Sequence, residues 1–277
     1  MTSERGELRT LGVVRALFGG LVLLRTTPAL APFHVSYLEG TRPLLGWPTN
    51  AWHVAAFGLA LPAWLVASLC VARTVAAVLF TVGVRSSPAG AIVAISGWLV
   101  LAQDTLSYVN TLHLLYLGTL VLAASGAGSA FAWRREPAVD PGSGRTLTRA
   151  FVASVYAWSG LAKLNASWLS GDALARLLQS RVVSGVVAES LLASPPGRVA
   201  AAWCIAAIEL ALGPLLFWRR TRAAALIAAL ALHLGLEVSM HPDFFGFAMA
   251  ALLLAFVGPR AVTGSLRATP PSPRATR

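Results

Sequence analysis

A single lysine in an apolar segment is the first candidate for chemistry. Lys163 follows the run Tyr-Ala-Trp-Ser-Gly-Leu-Ala and precedes Leu-Asn-Ala-Ser-Trp-Leu-Ser-Gly. A lysine in an apolar pocket loses the hydration of its charged form, which makes the free amine available as a base or a nucleophile. The alternative is a structural lysine that extends its charged end to the membrane surface. The residues alone leave both interpretations open.

Three further ionisable residues, His233, Glu237 and His241, recur at positions i, i+4 and i+8. Residues at this spacing share one face of a helix. Such a set could bind a metal ion, relay protons or form structural hydrogen bonds. Because His241 precedes Pro242, it falls beyond the expected end of the helix, and we predict no metal site here.

The other candidates are ionisable residues inside apolar runs or near their ends. A charge in the hydrocarbon core of a membrane costs about 2.5 kcal/mol or more, so each is a candidate functional residue. Arg15, Arg25 and Glu209 lie within such runs, where they can also form structural ion pairs. Those near the ends of runs are His53, Asp104 and His113.

The composition predicts what surrounds these residues. Of the 277 residues, 56% are apolar and 12% are charged. A soluble domain has about 25% charged residues, so this chain is not an ordinary soluble protein. The net charge of +11 fits arginines that set membrane orientation and contact anionic lipid headgroups, and we expect no nucleic-acid partner. Cys70 and Cys204 form no CxxC motif, so we predict no redox dithiol.

The apolar runs predict the architecture. About 20 mostly apolar residues span a bilayer, and the candidate runs are Leu8 to Leu30, Trp52 to Val84, Ala89 to Leu106, Leu112 to Trp133, Arg149 to Lys163, Val199 to Trp218, Ala223 to Met240 and Phe244 to Val257. We therefore predict an all-α polytopic membrane bundle of about eight transmembrane helices. The run from Trp52 holds one span and an extra half-helix or interfacial piece. A further helix near residues 170–183, with leucines at helical spacing between charged residues, is expected to lie in the outer interface.

The arginines predict the orientation of this bundle. With the N-terminus inside, most of the 22 basic residues fall on the cytoplasmic side, Arg73 and Arg85 among them, and those outside are Arg42, Arg176, Arg181 and Arg198. This distribution follows the positive-inside rule, so we predict a plasma-membrane protein with both termini cytoplasmic. The membrane domain covers residues 1–259, and the Pro-rich basic residues 260–277 are typical of a disordered tail. A cleaved signal peptide is the alternative for the first run, but Arg15 interrupts it.

The segment around Lys163 resembles a known signature. It is similar to the membrane domain of vitamin K-dependent gamma-carboxylase and to its bacterial relatives, the horizontally transferred transmembrane (HTTM) family. Their arrangement of an aromatic residue, Gly-x-x-Lys-Leu and Trp-x-x-Gly is matched by Gly160, Lys163, Trp168 and Gly171. Less specific matches are Arg15 with Gly19 and Gly20, Tyr37 to Gly40, Asn110 with His113, Glu209, and the Arg219 to Arg222 turn with His233.

The resemblance implies a function. In the carboxylase, the matching lysine is the base that deprotonates reduced vitamin K. By resemblance, Lys163 is the catalytic base, His113 and His233 are its polar catalytic partners, and the pocket takes reduced vitamin K or another isoprenoid quinone. The residues expected to contact this substrate are Tyr156, Trp168, Glu209, Glu237 and Arg15.

Two features differ from the carboxylase. Ala162 precedes Lys163 where the carboxylase has a second lysine, and a short basic tail replaces the large lumenal region that binds its protein substrate. We therefore expect the membrane fold to be shared, but not the carboxylation of protein glutamate. Three hypotheses follow: a quinone-binding protein or oxygen-dependent quinol enzyme, a non-catalytic subunit or carrier whose buried charges are structural, and a small transporter with a proton path through Glu209, His233 and Glu237.

Overall fold

The computed structural model describes residues 2–26, 61–102, 110–136, 141–180, 182–183, 185–240 and 244–257, and every regular element in these ranges is a helix. The α-helices are α1 (Thr2–Thr26), α2 (Ala63–Val82), α3 (Ser86–Leu101), α4 (Asn110–Ala124), α5 (Pro141–Ala162), α6 (Ala166–Leu169), α7 (Asp172–Gln179), α8 (Val186–Ala193), α9 (Pro195–Phe217), α10 (Arg222–Met240) and α11 (Phe245–Leu253). Short 3₁₀ turns lie at Ala127–Ser129 and Leu254–Phe256.

Several predicted features fall outside the described residues. They are His53, Asp104, His241, Arg42, Arg181, the segment from Tyr37 to Gly40, residues 52–60 of the second apolar run and the tail 260–277. Each of the eight predicted runs overlaps a different one of the described helices.

Within the described ranges, three helices are long and apolar enough to cross a membrane: Trp64–Val82, Pro195–Phe217 and Arg222–Met240. Shorter apolar helices accompany them at Ser86–Leu101, Thr111–Ala124 and Phe245–Phe256. α1 and α5 begin with polar and charged residues, which lowers their mean hydropathy. The helical membrane-type fold is therefore confirmed, whereas the count of eight spans stays a prediction.

Short connections make successive helices antiparallel neighbours. Gly83 has a φ of 80°, and its N–H bonds the carbonyl of Leu79 at 2.9 Å, which ends α2 before α3 begins at Ser86. The connection from Phe217 to Arg222 also reverses the chain, between α9 and α10, and there the N–H of Arg222 bonds the carbonyl of Trp218 at 2.9 Å. These two connections therefore place α2 antiparallel to α3, and α9 antiparallel to α10.

One end of the bundle, the arginine-rich end, is defined by the starts of α1 and α5 and the ends of α2 and α11. Here Arg145 of α5 forms an ion pair with Glu7 of α1 at 3.1 Å, and its Nε donates to the carbonyl of Ala255 at 2.7 Å. The N–H of Arg134 bonds the carbonyl of Gly83 at 3.2 Å. Arginines gather at this end as the orientation argument requires, and the side of the membrane that it faces stays a prediction.

Arg73 corrects one part of that argument. It was expected to belong to a cytoplasmic connection, but it lies in the middle of α2 with 5% of its surface exposed. Its guanidinium donates to the hydroxyl of Tyr116 at 3.0 Å. The physical reason is that α2 begins at Ala63, well after the start of the predicted run at Trp52. Arg73 therefore lies at the centre of the helix and not toward its end.

A small separate core forms beside the main bundle. α7 buries Leu174 against Val183, Leu192 and Ala202, while its Arg176 stays exposed and donates to the hydroxyl of Ser167. The amphipathic helix predicted near residues 170–183 is thus present as Asp172–Gln179. Its position in the membrane interface stays a prediction.

Candidate functional site

The site is built on one face of α5, at the end of the bundle opposite the arginine-rich end. Tyr156, Ser159 and Lys163 lie at i, i+3 and i+7, so they share one face, which lies beside α9 and α10. Gly160 permits this approach: a Cβ there would lie 2.7 Å from the Cγ of Leu210 and 3.0 Å from its backbone nitrogen. Close packing through small residues is typical of membrane helices.

Lys163 lies just beyond the end of α5 and forms an ion pair with Glu209 of α9. The distance from Nζ to Oε2 is 2.6 Å, and the two side chains are 18% and 8% exposed. The ammonium also donates to the hydroxyl of Ser159 at 2.8 Å and to its carbonyl at 3.3 Å. An ammonium has three N–H donors, so these three acceptors satisfy it.

Trp168 covers this ion pair on a second side. Its ring centroid lies 5.2 Å from the Nζ of Lys163, a cation–π distance. Asn165 caps the short helix α6 by accepting the Trp168 N–H at 3.0 Å, and the indole Nε1 donates to the carbonyl of Ala202 on α9 at 3.1 Å. In the segment Lys-Leu-Asn-x-x-Trp, the turn capped by Asn165 therefore brings the Trp168 ring over the ammonium of Lys163.

The backbone conformation explains why the last residue of the signature, Gly171, is a glycine. Its φ is +81°, a left-handed conformation that favours glycine. A Cβ at this position would lie 2.8 Å from the Cβ of Arg198. Glycine thus allows the connection from α6 to α7 to lie against the start of α9.

A second buried contact joins α5 to α10, two helical turns before Lys163. The hydroxyl of Tyr156 lies 2.8 Å from Nε2 of His233, and these residues are only 2% and 4% exposed. Nδ1 of His233 is buried with no hydrogen-bond partner among the described residues. Tyr156 lies on the same face of α5 as Ser159, which places this contact beside the Lys163 ion pair. The structure therefore brings together Tyr156, Lys163, Trp168, Glu209 and His233, and their role as a catalytic or substrate-binding site stays a prediction.

Glu237 has a different role in the same helix as His233. Its Oε1 accepts the N–H of Gly246 at 2.7 Å, in the first turn of α11. A carboxylate stabilises a helix N-terminus because it satisfies a free N–H and opposes the positive end of the helix dipole. Among the described residues, no group of His, Cys, Asp and Glu could hold a metal ion.

Arg15 lies far from Lys163, at the arginine-rich end. It is fully buried, and its guanidinium donates to the carbonyls of Ala127 at 3.2 Å and Ala130 at 3.4 Å, and to the carbonyl of Phe131. This places Arg15 beside the connection that leads into the start of α5, whereas Lys163 follows its end. The structure thus shows Arg15 holding a loop, and it does not bring it to the predicted substrate site.

His113 belongs to another part of the bundle. Its ring lies against Trp98 of α3, with 5.8 Å between the centroids. Sequence reasoning missed two residues in such contacts: Ser159, whose only signal is its spacing of four from Lys163, and Tyr116, the partner of Arg73. Neither hydroxyl carries a charge that would have marked it.

The model of the HTTM domain matches residues 5–260. The chain belongs to the HTTM family. This confirms the resemblance carried by Gly160, Lys163, Trp168 and Gly171 and, with the apolar helices, identifies an HTTM membrane protein. No curated protein and no solved structure matches the chain.

Proposed function

We propose that this HTTM protein spans the plasma membrane eight times, with both termini in the cytoplasm, and binds the head of an isoprenoid quinone beside Lys163 and Glu209. The gathering of arginines at one end of the bundle supports the orientation. The single observation that carries the binding proposal is the ion pair of Lys163 and Glu209, held at 2.6 Å between apolar helices. Charges in such a position are costly, and function is the usual reason for them.

The groups around the pair suit a hydroxylated ring. The ammonium of Lys163 and the carboxylate of Glu209 can donate to and accept from a ring oxygen, and Trp168 offers an aromatic face. An isoprenoid quinol supplies an acidic hydroxyl, and its tail dissolves in the surrounding lipid. The donor set therefore fits the reduced quinone, such as reduced vitamin K, that the family resemblance implies.

We propose the pair, rather than Lys163 alone, as the proton acceptor. When a substrate hydroxyl replaces Ser159 as a partner of Lys163, its proton passes to the carboxylate of Glu209. Lys163 remains protonated beside the oxygen that has lost the proton and stabilises its negative charge. The oxygen-dependent chemistry implied by the resemblance to gamma-carboxylase would begin from this state.

Quinone content of the purified protein tests this proposal. The parent and the variants Lys163→Met and Glu209→Gln are incubated with a reduced menaquinone, washed and extracted, and the quinone is quantified by mass spectrometry. We expect at least about tenfold less quinone in both variants, since each loses a charged contact. The control Glu189→Gln removes an exposed carboxylate on α8 and should bind like the parent. Equal binding by all four proteins would contradict the proposal.

One observation favours a second candidate, a non-catalytic subunit with structural charges. The ammonium of Lys163 is already satisfied by Glu209 and Ser159. If the pair is only structural, the double variant Lys163→Met with Glu209→Leu should be stable, and it should bind as much quinone as the parent. A stable double variant that binds no quinone, when the parent does bind it, would exclude this candidate.

A further inference from the structure

A cavity at the arginine-rich end lies apart from the Lys163 site. It has a volume of about 560 Å³ and is lined by Leu8, Arg9, Ser129, Ala130, Phe131 and Arg135. It opens between the first turns of α1 and the segment that follows α4. Its size falls within the range of about 300–1,000 Å³ that is typical of small-molecule sites.

The two arginines of this cavity differ from their neighbours. Arg15 and Arg145 are buried and donate to carbonyls of the chain. Arg9 and Arg135 are exposed, and within the part of the chain that the structure describes neither guanidinium has a hydrogen bond or ion pair. Each offers five N–H donors in a planar fork, which matches the oxygens of a phosphate.

Aromatic residues indicate the depth of the cavity in the membrane. Phe131 and Trp133 are 62% and 86% exposed, on either side of residue 132. Exposed Trp side chains concentrate at the level of lipid headgroups, so Trp133 carries this argument and Phe131 only adds exposed apolar surface. The N–H of Trp133 bonds the carbonyl of Val82 at 3.0 Å, so this edge adjoins the exposed face of α2 formed by Val71, Val75, Val78 and Val82. The cavity thus adjoins an exposed Trp that is typical of headgroup level and an apolar surface suited to acyl chains.

The backbone of Phe131 supports a role for this segment. Its φ is +48°, a conformation that bulky residues rarely adopt. The buried guanidinium of Arg15 stabilises this conformation by donating a hydrogen bond to the Phe131 carbonyl. Strained residues of this kind concentrate at binding sites.

We propose that this cavity binds the phosphate of an anionic phospholipid, with Arg9 and Arg135 donating to its oxygens and the acyl chains lying along α2. A lipid is favoured over a soluble phosphate because the cavity adjoins an exposed apolar face. The site is independent of the quinone proposed at Lys163, since the two lie at opposite ends of α5. This site makes the protein prefer the leaflet that is richer in anionic lipid more strongly than its net charge alone would.

Native mass spectrometry of the detergent-purified protein tests this inference. Increasing concentrations of phosphatidylglycerol, phosphatidylcholine or inorganic phosphate are added, and bound adducts are counted. We expect the parent to bind phosphatidylglycerol at least tenfold more tightly than phosphatidylcholine. The double variant Arg9→Gln with Arg135→Gln should lose this preference, and Arg9→Lys with Arg135→Lys, which retains the charge, should keep part of it.

The matched control is Arg219→Gln with Arg220→Gln, which removes two exposed arginines between α9 and α10. If this control loses the preference equally, general surface charge explains the binding and the proposal fails. If millimolar inorganic phosphate displaces phosphatidylglycerol, the site binds free anions and the lipid assignment fails. A double glutamine variant that still prefers phosphatidylglycerol would also overturn it.

Discussion

Lys163 and Glu209 are 46 residues apart in the sequence, yet Nζ and Oε2 lie 2.6 Å apart, across the contact of α5 with α9. Among the described residues, Lys163 is the only residue between Tyr156 and Gly171 that forms an ion pair. The distance between these two charged groups, and hence their proton affinity, depends on how α5 packs against α9. The stability of this helix pair and the properties of the site should therefore change together.

Breaking this ion pair from one side should destabilise the protein. We expect Lys163→Met to cost about 3 kcal/mol, because it leaves the Glu209 carboxylate buried without its cation. The double variant Lys163→Met with Glu209→Leu should recover most of that loss, because it leaves no charge buried. Thermal unfolding in detergent measures it. A double variant that is less stable than Lys163→Met alone would contradict this explanation, because the loss would then not come from the unpaired carboxylate.

The bond between Tyr156 and His233 should contribute to stability by itself. Tyr156→Phe keeps the ring but removes the hydroxyl that lies 2.8 Å from Nε2. We expect a loss of about 1–3 kcal/mol, because a buried imidazole nitrogen is left unsatisfied. A double-mutant cycle with His233→Phe measures the coupling. Additive effects of the two changes would argue against a direct bond.

Gly160 should be far less tolerant of alanine than other helical glycines. Its Cβ would meet Leu210, whereas a Cβ at Gly235 of α10 has no neighbour within 4 Å. We expect Gly160→Ala to separate α5 from α9 and lower the melting temperature. Gly235→Ala should be neutral or stabilise by up to about 1 kcal/mol, because alanine favours the helix. Equal melting temperatures for the two variants would contradict the close approach at Gly160.

Arg15 should not be replaceable by lysine. Its planar guanidinium reaches the carbonyls of Ala127, Ala130 and Phe131, and a single ammonium cannot span that set. We expect Arg15→Lys to loosen this loop, with trypsin cleaving faster after Arg134 and Arg135. Arg9→Lys, a change at an exposed residue, is the control. Unchanged cleavage in the Arg15 variant would mean that other contacts hold the loop.

The sequence predicted the elements better than the contacts between them. Apolar runs located the helices, and the rarity of charges inside them singled out Lys163, Glu209 and Arg15. Spacing along one helix also placed Tyr156 and Lys163 on one face. Whether Glu209 meets Lys163 or Arg15 depends on which helices pack together, and local patterns do not carry that information.

Arg73 shows a second limit of sequence reasoning. Hydropathy locates an apolar run but not the residue at which its helix begins, and α2 begins at Ala63, well inside the run from Trp52. A difference of a few residues decides whether an arginine belongs to a connection or to the interior. The partner that makes its burial tolerable, the Tyr116 hydroxyl, lies on another helix.

The contacts of Arg15 bear on how the chain enters the membrane. Its acceptors are carbonyls of residues 81, 127, 130 and 131, all of which are synthesised long after α1. Until the ribosome has added them, the guanidinium has none of these partners, and transfer of α1 into lipid is penalised. We expect α1 to remain in the aqueous channel of the translocon, or at its edge, and to be released into the bilayer together with the helices that complete its contacts.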